Sequence, residues 1–133
     1  MKTKTETKKI LSALKRAMKR ISKPVAWAKG AWGREVNSNG VTIRAWSWMG
    51  GRQAARKPEA NCWCAVGAVF AATPDDKVAD AAIAELRETG YVAVGKYKGC
   101  SIVVFNDVPK TTQKDVIAVF KRTIARLEKR VSA

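Results

Sequence analysis

An α+β fold, in one small domain of about four helices and one or two short antiparallel β-hairpins, is predicted by three features of the sequence. Amphipathic helical patterns occupy both ends of the chain. Between them lie short β-rich runs punctuated by Asn/Gly turn signals. At 133 residues and 47% hydrophobic content, the chain 1–133 suits a single domain around one core.

The first helix is expected over Thr5–Ser22, where Ile10, Leu11, Leu14, Ala17, Met18 and Ile21 recur at steps of three and four. Lys8, Lys9, Lys15, Arg16, Lys19, Arg20 and Lys23 fill the rest of its circumference. Pro24 ends it, because a residue before proline is pushed out of the α region. Residues 1–8 are marked as a candidate disordered basic tail.

Asn37-Ser38-Asn39-Gly40 separates Trp32–Val36 from Val41–Trp48 and predicts a β-hairpin, since Asn and Gly tolerate positive φ. In the second run Thr42, Arg44, Trp46 and Trp48 alternate with Val41, Ile43, Ala45 and Ser47, which places the first four on one face. Gly50 to Pro58 reads as a mobile basic loop carrying Arg52, Arg56 and Lys57. Asn61 is the expected N-cap of a short buried helix, Cys62–Ala72, whose small residues permit close approach by a neighbour.

Thr73-Pro74-Asp75-Asp76 then opens another helix, with threonine as cap and two aspartates at the positive end of the dipole. It is expected to bury Val78, Ala82 and Leu86 and to stop at Gly90. Tyr91–Val94 and Cys100–Phe105 are β-rich and read as a second hairpin or two neighbouring strands. Asn106 to Pro109 is a turn signal. Thr112 and Asp115 resemble a capping box for the last helix, with Asp in place of the usual Glu. That helix is apolar at Val116, Ile117, Phe120, Ile124, Leu127 and Val131, and cationic at Lys114, Lys121, Arg122, Arg126, Lys129 and Arg130.

Charge bounds the function. The net charge is +15 and it is concentrated at the ends. Residues 1–34 hold eleven Lys/Arg against one Glu, and residues 110–133 hold seven against two acids, whereas residues 58–109 are slightly acidic. Such a field favours polyanions: nucleic acid, nucleotides or an acidic protein surface. Histidine is absent, which removes Ser-His-Asp and Cys-His chemistry and every His-containing metal site. Three cysteines leave an odd thiol, which argues against a disulfide-stapled secreted domain. With no run of about 18 apolar residues and no signal-peptide pattern, the chain is expected to be cytoplasmic and free of membrane.

Three groups of residues invite chemistry, each with a plain alternative. Trp27, Trp32, Trp46, Trp48 and Trp63 interleave with basic residues and could stack exposed bases, or could supply core area. Trp27 and Trp63 read as core, while Trp46 and Trp48 stay open because they share a strand face with Arg44. Asn61-Cys62-Trp63-Cys64 could present a thiolate at a helix start, but no histidine exists to serve as base, and buried structural thiols are favoured. Asn106-Asp107 could hold a catalytic carboxylate or simply a turn, and the turn is favoured. Neither glycine-rich phosphate motif occurs.

Trp27-x-x-Gly30-Ala31, then Cys62-Trp63-Cys64-Ala65-Val66-Gly67-Ala68-Val69, then Phe105-Asn106-Asp107 with Thr111/Thr112 and Val116, appear in one order. In these motifs, over about residues 10–127, the chain resembles a family of small proteins of unknown function encoded by bacteriophages and by bacteria, notably actinobacteria. The resemblance implies a bacterial or phage cytosol and brings no reaction, cofactor or catalytic residue. The chain departs from the family pattern in its heavier basic charge.

The expected function is accordingly that of a small basic accessory protein binding DNA or RNA without catalysis, cofactor or metal. Its expected contacts are Lys8, Lys15, Arg16, Lys19, Arg20, Lys121, Arg122, Arg126, Lys129 and Arg130 on the terminal helices, with Arg44, Trp46, Trp48 and Arg52 beside them. The alternatives are an inhibitor that covers an acidic host protein and a binder of small anionic nucleotides. A cysteine-dependent enzyme is the minor alternative.

Overall fold

The structure, a computed structural model, describes residues 2–93 and 102–133, with side chains described outside 90–93. Its elements are helix α1 (Lys4–Ile21), strands β1 (Glu35–Val36) and β2 (Thr42–Arg44), and helices α2 (Gly51–Ala55), α3 (Ala65–Ala72), α4 (Asp76–Ala93), α5 (Ile102–Asp107) and α6 (Gln113–Ser132). The α+β class holds, with helix dominant. Among the described residues no helix is long and apolar enough to cross a membrane.

α1 forms where its apolar stripe requires. Ile10, Leu11, Leu14, Ala17 and Ile21 are buried, joined by Ala13 and Thr7. The helix starts ahead of the expected boundary and takes in most of the candidate tail. Thr3 caps it by accepting from the Glu6 N–H at 3.1 Å, and Thr7 donates its hydroxyl to the Thr3 carbonyl. A capped first turn with a buried threonine is order that a solvated tail would lack.

α3 is the apolar centre: Ala65 to Phe70 are all buried. α1 packs on α3, α4 and α6, α4 also packs on α6, and α2 and α5 flank α3. α6 opens with the expected capping box, in which Asp115 N–H donates to Thr112 Oγ1 and Thr112 N–H to the Asp115 carboxylate. Gln113 then ties the start of α6 to the end of α1 through the Ile21 and Lys23 carbonyls.

The Asn-Gly turn joins β1 and β2 antiparallel, with Val36 opposite Thr42. Asn37 Oδ1 accepts from the Asn39 and Val41 N–H groups, and Gly40 takes φ 81°, a conformation that costs glycine little. The alternation expected to continue to Trp48 stops at Arg44. Trp46 adopts φ 47° and turns into the core at 5% exposure, while Trp48 stays 78% exposed.

Four further expectations give way. Gly51–Ala55 is helix α2 rather than a mobile loop. Ala54 and Ala55 are buried, and Arg52 binds Asp76 and Asp80 on α4. The cap of α4 is Asp75, which accepts from the Lys77 and Val78 N–H groups, while Thr73 instead accepts from Asp75 N–H. Gly90 does not stop α4, which runs to Ala93; one helical glycine costs only about 1 kcal/mol. Ile102–Phe105 is helical as well. Ile102, Phe105 and Asn106 are buried at helical spacing, so one-sided burial overrides β-propensity. The remainder of the expected second hairpin, 94–101, lies outside the described residues, and Cys100 with it.

Glu85 joins α4 to α6 from a buried position. Its carboxylate accepts from Arg126 at 2.6 Å and Arg130 at 2.9 Å, with Lys2 at 3.7 Å. Burial pushes this carboxyl up, but hydrogen bonding and charge from Arg130, with the charges of Arg126 and Lys2, outweigh it and hold Glu85 below the ordinary range. A folded pKa below the unfolded one gives stability that is present at neutral pH and lost as pH falls. Acid unfolding of the native protein should therefore steepen below about pH 5. The E85Q variant should lose about 1–2 kcal/mol at pH 7 and show a flatter decline in acid, measured by urea titration at each pH.

Candidate functional site

The residues of the three motifs converge. Ala28 N–H donates to the Trp63 carbonyl and Trp63 N–H to the Ala26 carbonyl, so the segment after α1 lies alongside the approach to α3. Arg34 exchanges backbone hydrogen bonds with Cys62, and Cys64 N–H donates to the Ala31 carbonyl. Asn61 does not cap α3. Its amide clasps Val36, accepting from the Val36 N–H at 2.8 Å and donating to its carbonyl at 2.9 Å. The cap is Cys64, whose sulfur accepts from Gly67 N–H.

Asn106 closes this arrangement from α5. Its Oδ1 accepts from Trp27 Nε1 at 2.7 Å and Ala65 N–H at 3.0 Å, while its Nδ2 donates to the Ala28 carbonyl and to Asp107 Oδ1. One side chain, 1% exposed, thus satisfies the first free N–H of α3, an indole and a loop carbonyl. Asp107 Oδ1 also accepts from Gly30 N–H at 2.9 Å. Lys29 lies over Trp27 and donates to the Val108 and Pro109 carbonyls. Both polar atoms of the Asn106 side chain are thus spent within this cluster.

The thiols fit the same reading. Cys62 and Cys64 are free and buried. Burial pushes Cys64 up to about 11, with the Asp107 charge adding to the rise against hydrogen bonds from backbone N–H groups. Burial raises Cys62 too, against a hydrogen bond and charge from Arg34. A thiol so raised carries little thiolate at neutral pH and makes a poor nucleophile. In the native protein both should react far more slowly with a thiol-directed probe than in the denatured chain, and a native rate matching the denatured rate would contradict their burial. Among the described residues no group of three Cys, Asp or Glu is placed to hold a metal ion.

The tryptophans divide. Trp63 is buried and donates to the Ala55 carbonyl, and Trp27 is bonded to Asn106. Trp32 stacks on Phe70, ring centroids 5.4 Å apart. Because Trp46 is buried, the expected Arg44/Trp46/Trp48 face does not assemble; only Trp48 and Arg44 remain outside, and Arg44 is paired with Glu35 at 3.2 Å.

The cations divide as well. Arg16 donates to the Ala72 carbonyl at the end of α3, Arg52 is held by Asp76 and Asp80, and Arg126 and Arg130 serve Glu85. Arg20 lies over the Trp63 ring. Lys15 reaches Glu128 at 3.4 Å, which sets the outer faces of α1 and α6 side by side. Lys8 and Lys19 flank Lys15 at helical spacing on α1, and Lys121, Arg122 and Lys129 lie on the solvent side of α6. All five are exposed and form no ion pair among the described residues. Sequence reasoning found these five but could not separate them from the arginines that brace the fold. It placed Arg56 in a mobile basic loop, whereas this side chain binds the Phe70 and Thr73 carbonyls and Asp76.

Neither the curated proteins nor the solved structures include a match to this chain. The model of a family of unknown function, DUF6197, matches residues 5–126, a span that holds all three motifs, nearly all of α1 and the first two thirds of α6. By that match over most of its length, the chain belongs to the family of unknown function DUF6197.

Proposed function

We propose that this protein is a non-catalytic binder of nucleic acid, working in a bacterial or phage cytosol, and that the adjoining outer faces of α1 and α6 make the contact. The observation that carries the reading is the set of exposed, unpaired cations Lys8, Lys19, Lys121, Arg122 and Lys129 on two helices whose faces are joined by the Lys15–Glu128 pair. Arg52, Arg126 and Arg130 are already paired with carboxylates. The five on this face are not, so they are the charges that phosphates would meet first. Contacts of this kind give affinity with strong salt dependence and little sequence preference. The raised Cys64 thiol and the fully bonded Asn106 favour a non-catalytic role, since neither is poised for chemistry.

The test is binding of labelled single- and double-stranded DNA and RNA to nuclease-treated protein, comparing the native chain with a variant carrying K8E, K19E and K121E. The variant should lose at least 100-fold in affinity near 100 mM salt while keeping its thermal stability. Equal binding by the two proteins would overturn the assignment to this face.

A second reading, inhibition of an acidic host protein, has one observation of its own. Val41, Ile43 and Trp48 are exposed apolar side chains on and beside the hairpin. Stoichiometric capture of one protein by the nucleic-acid-free chain, lost on I43S, would favour it.

A further inference from the structure

Arg20 leaves α1 on the side away from Lys15 and places its guanidinium 5.5 Å from the centre of the Trp63 ring. Its Nε is buried and has no hydrogen-bond partner among the described residues. A cavity of about 270 Å³ opens beside it, lined by Arg20, Arg56, Lys57, Trp63 and the turn at Pro58 and Ala60. Among the described residues no acid lines this cavity.

Arg56 is fixed in place. Its Nε donates to the Phe70 carbonyl and its Nη2 to the Thr73 carbonyl and Asp76, which leaves Nη1. Those bonds matter twice. They orient the guanidinium, and they occupy carbonyls at the end of α3 that would otherwise repel an anion. Arg16 does the same for the Ala72 carbonyl. Lys57 makes no side-chain hydrogen bond or ion pair among the described residues, and it is only partly exposed. Three cations therefore converge on a small space whose lining, among the described residues, holds no carboxylate. An anion with several acceptor oxygens would relieve their mutual repulsion.

We infer that this pocket binds a phosphate group, with the Arg20 guanidinium, Arg56 Nη1 and Lys57 Nζ as its donors. The cavity falls just below the range of about 300–1,000 Å³ usual for whole drug-sized ligands, which suits a phosphate rather than an entire cofactor. The pocket stands apart from the lysine face of α1 and α6 and does not depend on it. A phosphate could arrive as the free ion or as the 5′ end of a nucleic-acid strand, and both present the same oxygens.

The test is nuclear magnetic resonance on the full chain labelled with nitrogen-15, following the Arg20 Nε–H signal. Inorganic phosphate is titrated first, then a short 5′-phosphorylated oligonucleotide against its unphosphorylated twin. The Arg20 signal should move and saturate, while that of exposed Arg122 drifts without saturating under inorganic phosphate. K57Q, a partly exposed change, should weaken the response at least fivefold, and R20K, read on the remaining signals of the pocket, should abolish saturation by removing the guanidinium fork. A tenfold preference for the phosphorylated oligonucleotide assigns the pocket to strand ends. Equal saturation by inorganic phosphate assigns it to phosphate itself, and either result supports the site. No saturable shift with any phosphate, or a K57Q response equal to the native one, overturns it. Failure here with retained oligonucleotide binding removes the pocket alone. A saturating Arg20 signal in a protein that fails to bind oligonucleotides at any salt removes the α1–α6 assignment alone.

Discussion

The N106A variant should lose about 4 kcal/mol of stability, a fall of roughly 10–20 °C in melting temperature. Alanine at this position strands three groups at once: Trp27 Nε1, the Ala65 N–H and the Ala28 carbonyl. Asn106 is 1% exposed, so water cannot replace it without opening the packing between α3 and α5. Each stranded buried group costs about 1–3 kcal/mol, and small domains have only about 5–15 kcal/mol in hand. The N106D variant separates the contributions. It keeps the acceptor for Trp27 and Ala65, loses the donor to Ala28, and sets a second carboxylate against Asp107. Its deficit should shrink as pH falls, because protonation removes the repulsion and restores a donor. That trend is opposite to the one expected from Glu85. Thermal unfolding of both variants across pH checks this, and a loss below about 1 kcal/mol for N106A would show that the cluster is not a keystone of the fold.

G67A should be about as damaging, through a different cause. A Cβ on Gly67 would lie 1.6 Å from the Trp32 carbonyl oxygen and 2.5 Å from its carbon. The obstacle is backbone, so no rotamer change relieves it; α3 or the segment at Trp32 must withdraw. In an exposed helix the same substitution would gain about 1 kcal/mol from propensity. Here the gain is overwhelmed, and a net loss above about 3 kcal/mol is expected. G50A is the control. Nothing lies within 4 Å of a Cβ there, so its effect should stay within about 0.5 kcal/mol. Comparable losses in the two variants would show that close approach at Gly67 is not what distinguishes them.

Much of the fold is legible in the residues because strong local signals agree with the packing. The stripe from Ile10 to Ile21, the Thr112/Asp115 box and the Asn-Gly turn each point to one conformation, and each forms. The errors fall where local signals compete with tertiary ones. Ile102 to Phe105 has a β-rich composition but buries one side only, against α3 and α4. Asn61 offers good N-cap chemistry, yet its amide finds both backbone groups of Val36, and a sulfur caps α3 in its place. Nothing in the pattern around Trp46 announces a φ of 47°.

The proposed binding surface divides along the same line. Helical spacing is enough to place Lys8, Lys19, Lys121, Arg122 and Lys129 outside the core. It does not reveal that Arg126 and Arg130 are committed to Glu85, or that Arg52 is committed to Asp76 and Asp80, because those partners are distant in sequence. Likewise the convergence of Trp27, Cys64 and Asn106 depends on contacts across as many as 79 positions. Their order along the chain is visible in the sequence, but their meeting is not.

The most direct test of the central claim is the salt dependence of duplex DNA binding by the native chain. About five phosphate contacts give a slope near −4 to −5 in log affinity against log salt, a loss of roughly 10²–10³-fold between 50 and 200 mM. The K8E, K19E and K121E variant should flatten that slope by about three units. Binding that is absent at 50 mM salt, or a slope that the three substitutions leave unchanged, would contradict nucleic-acid recognition by the α1–α6 face.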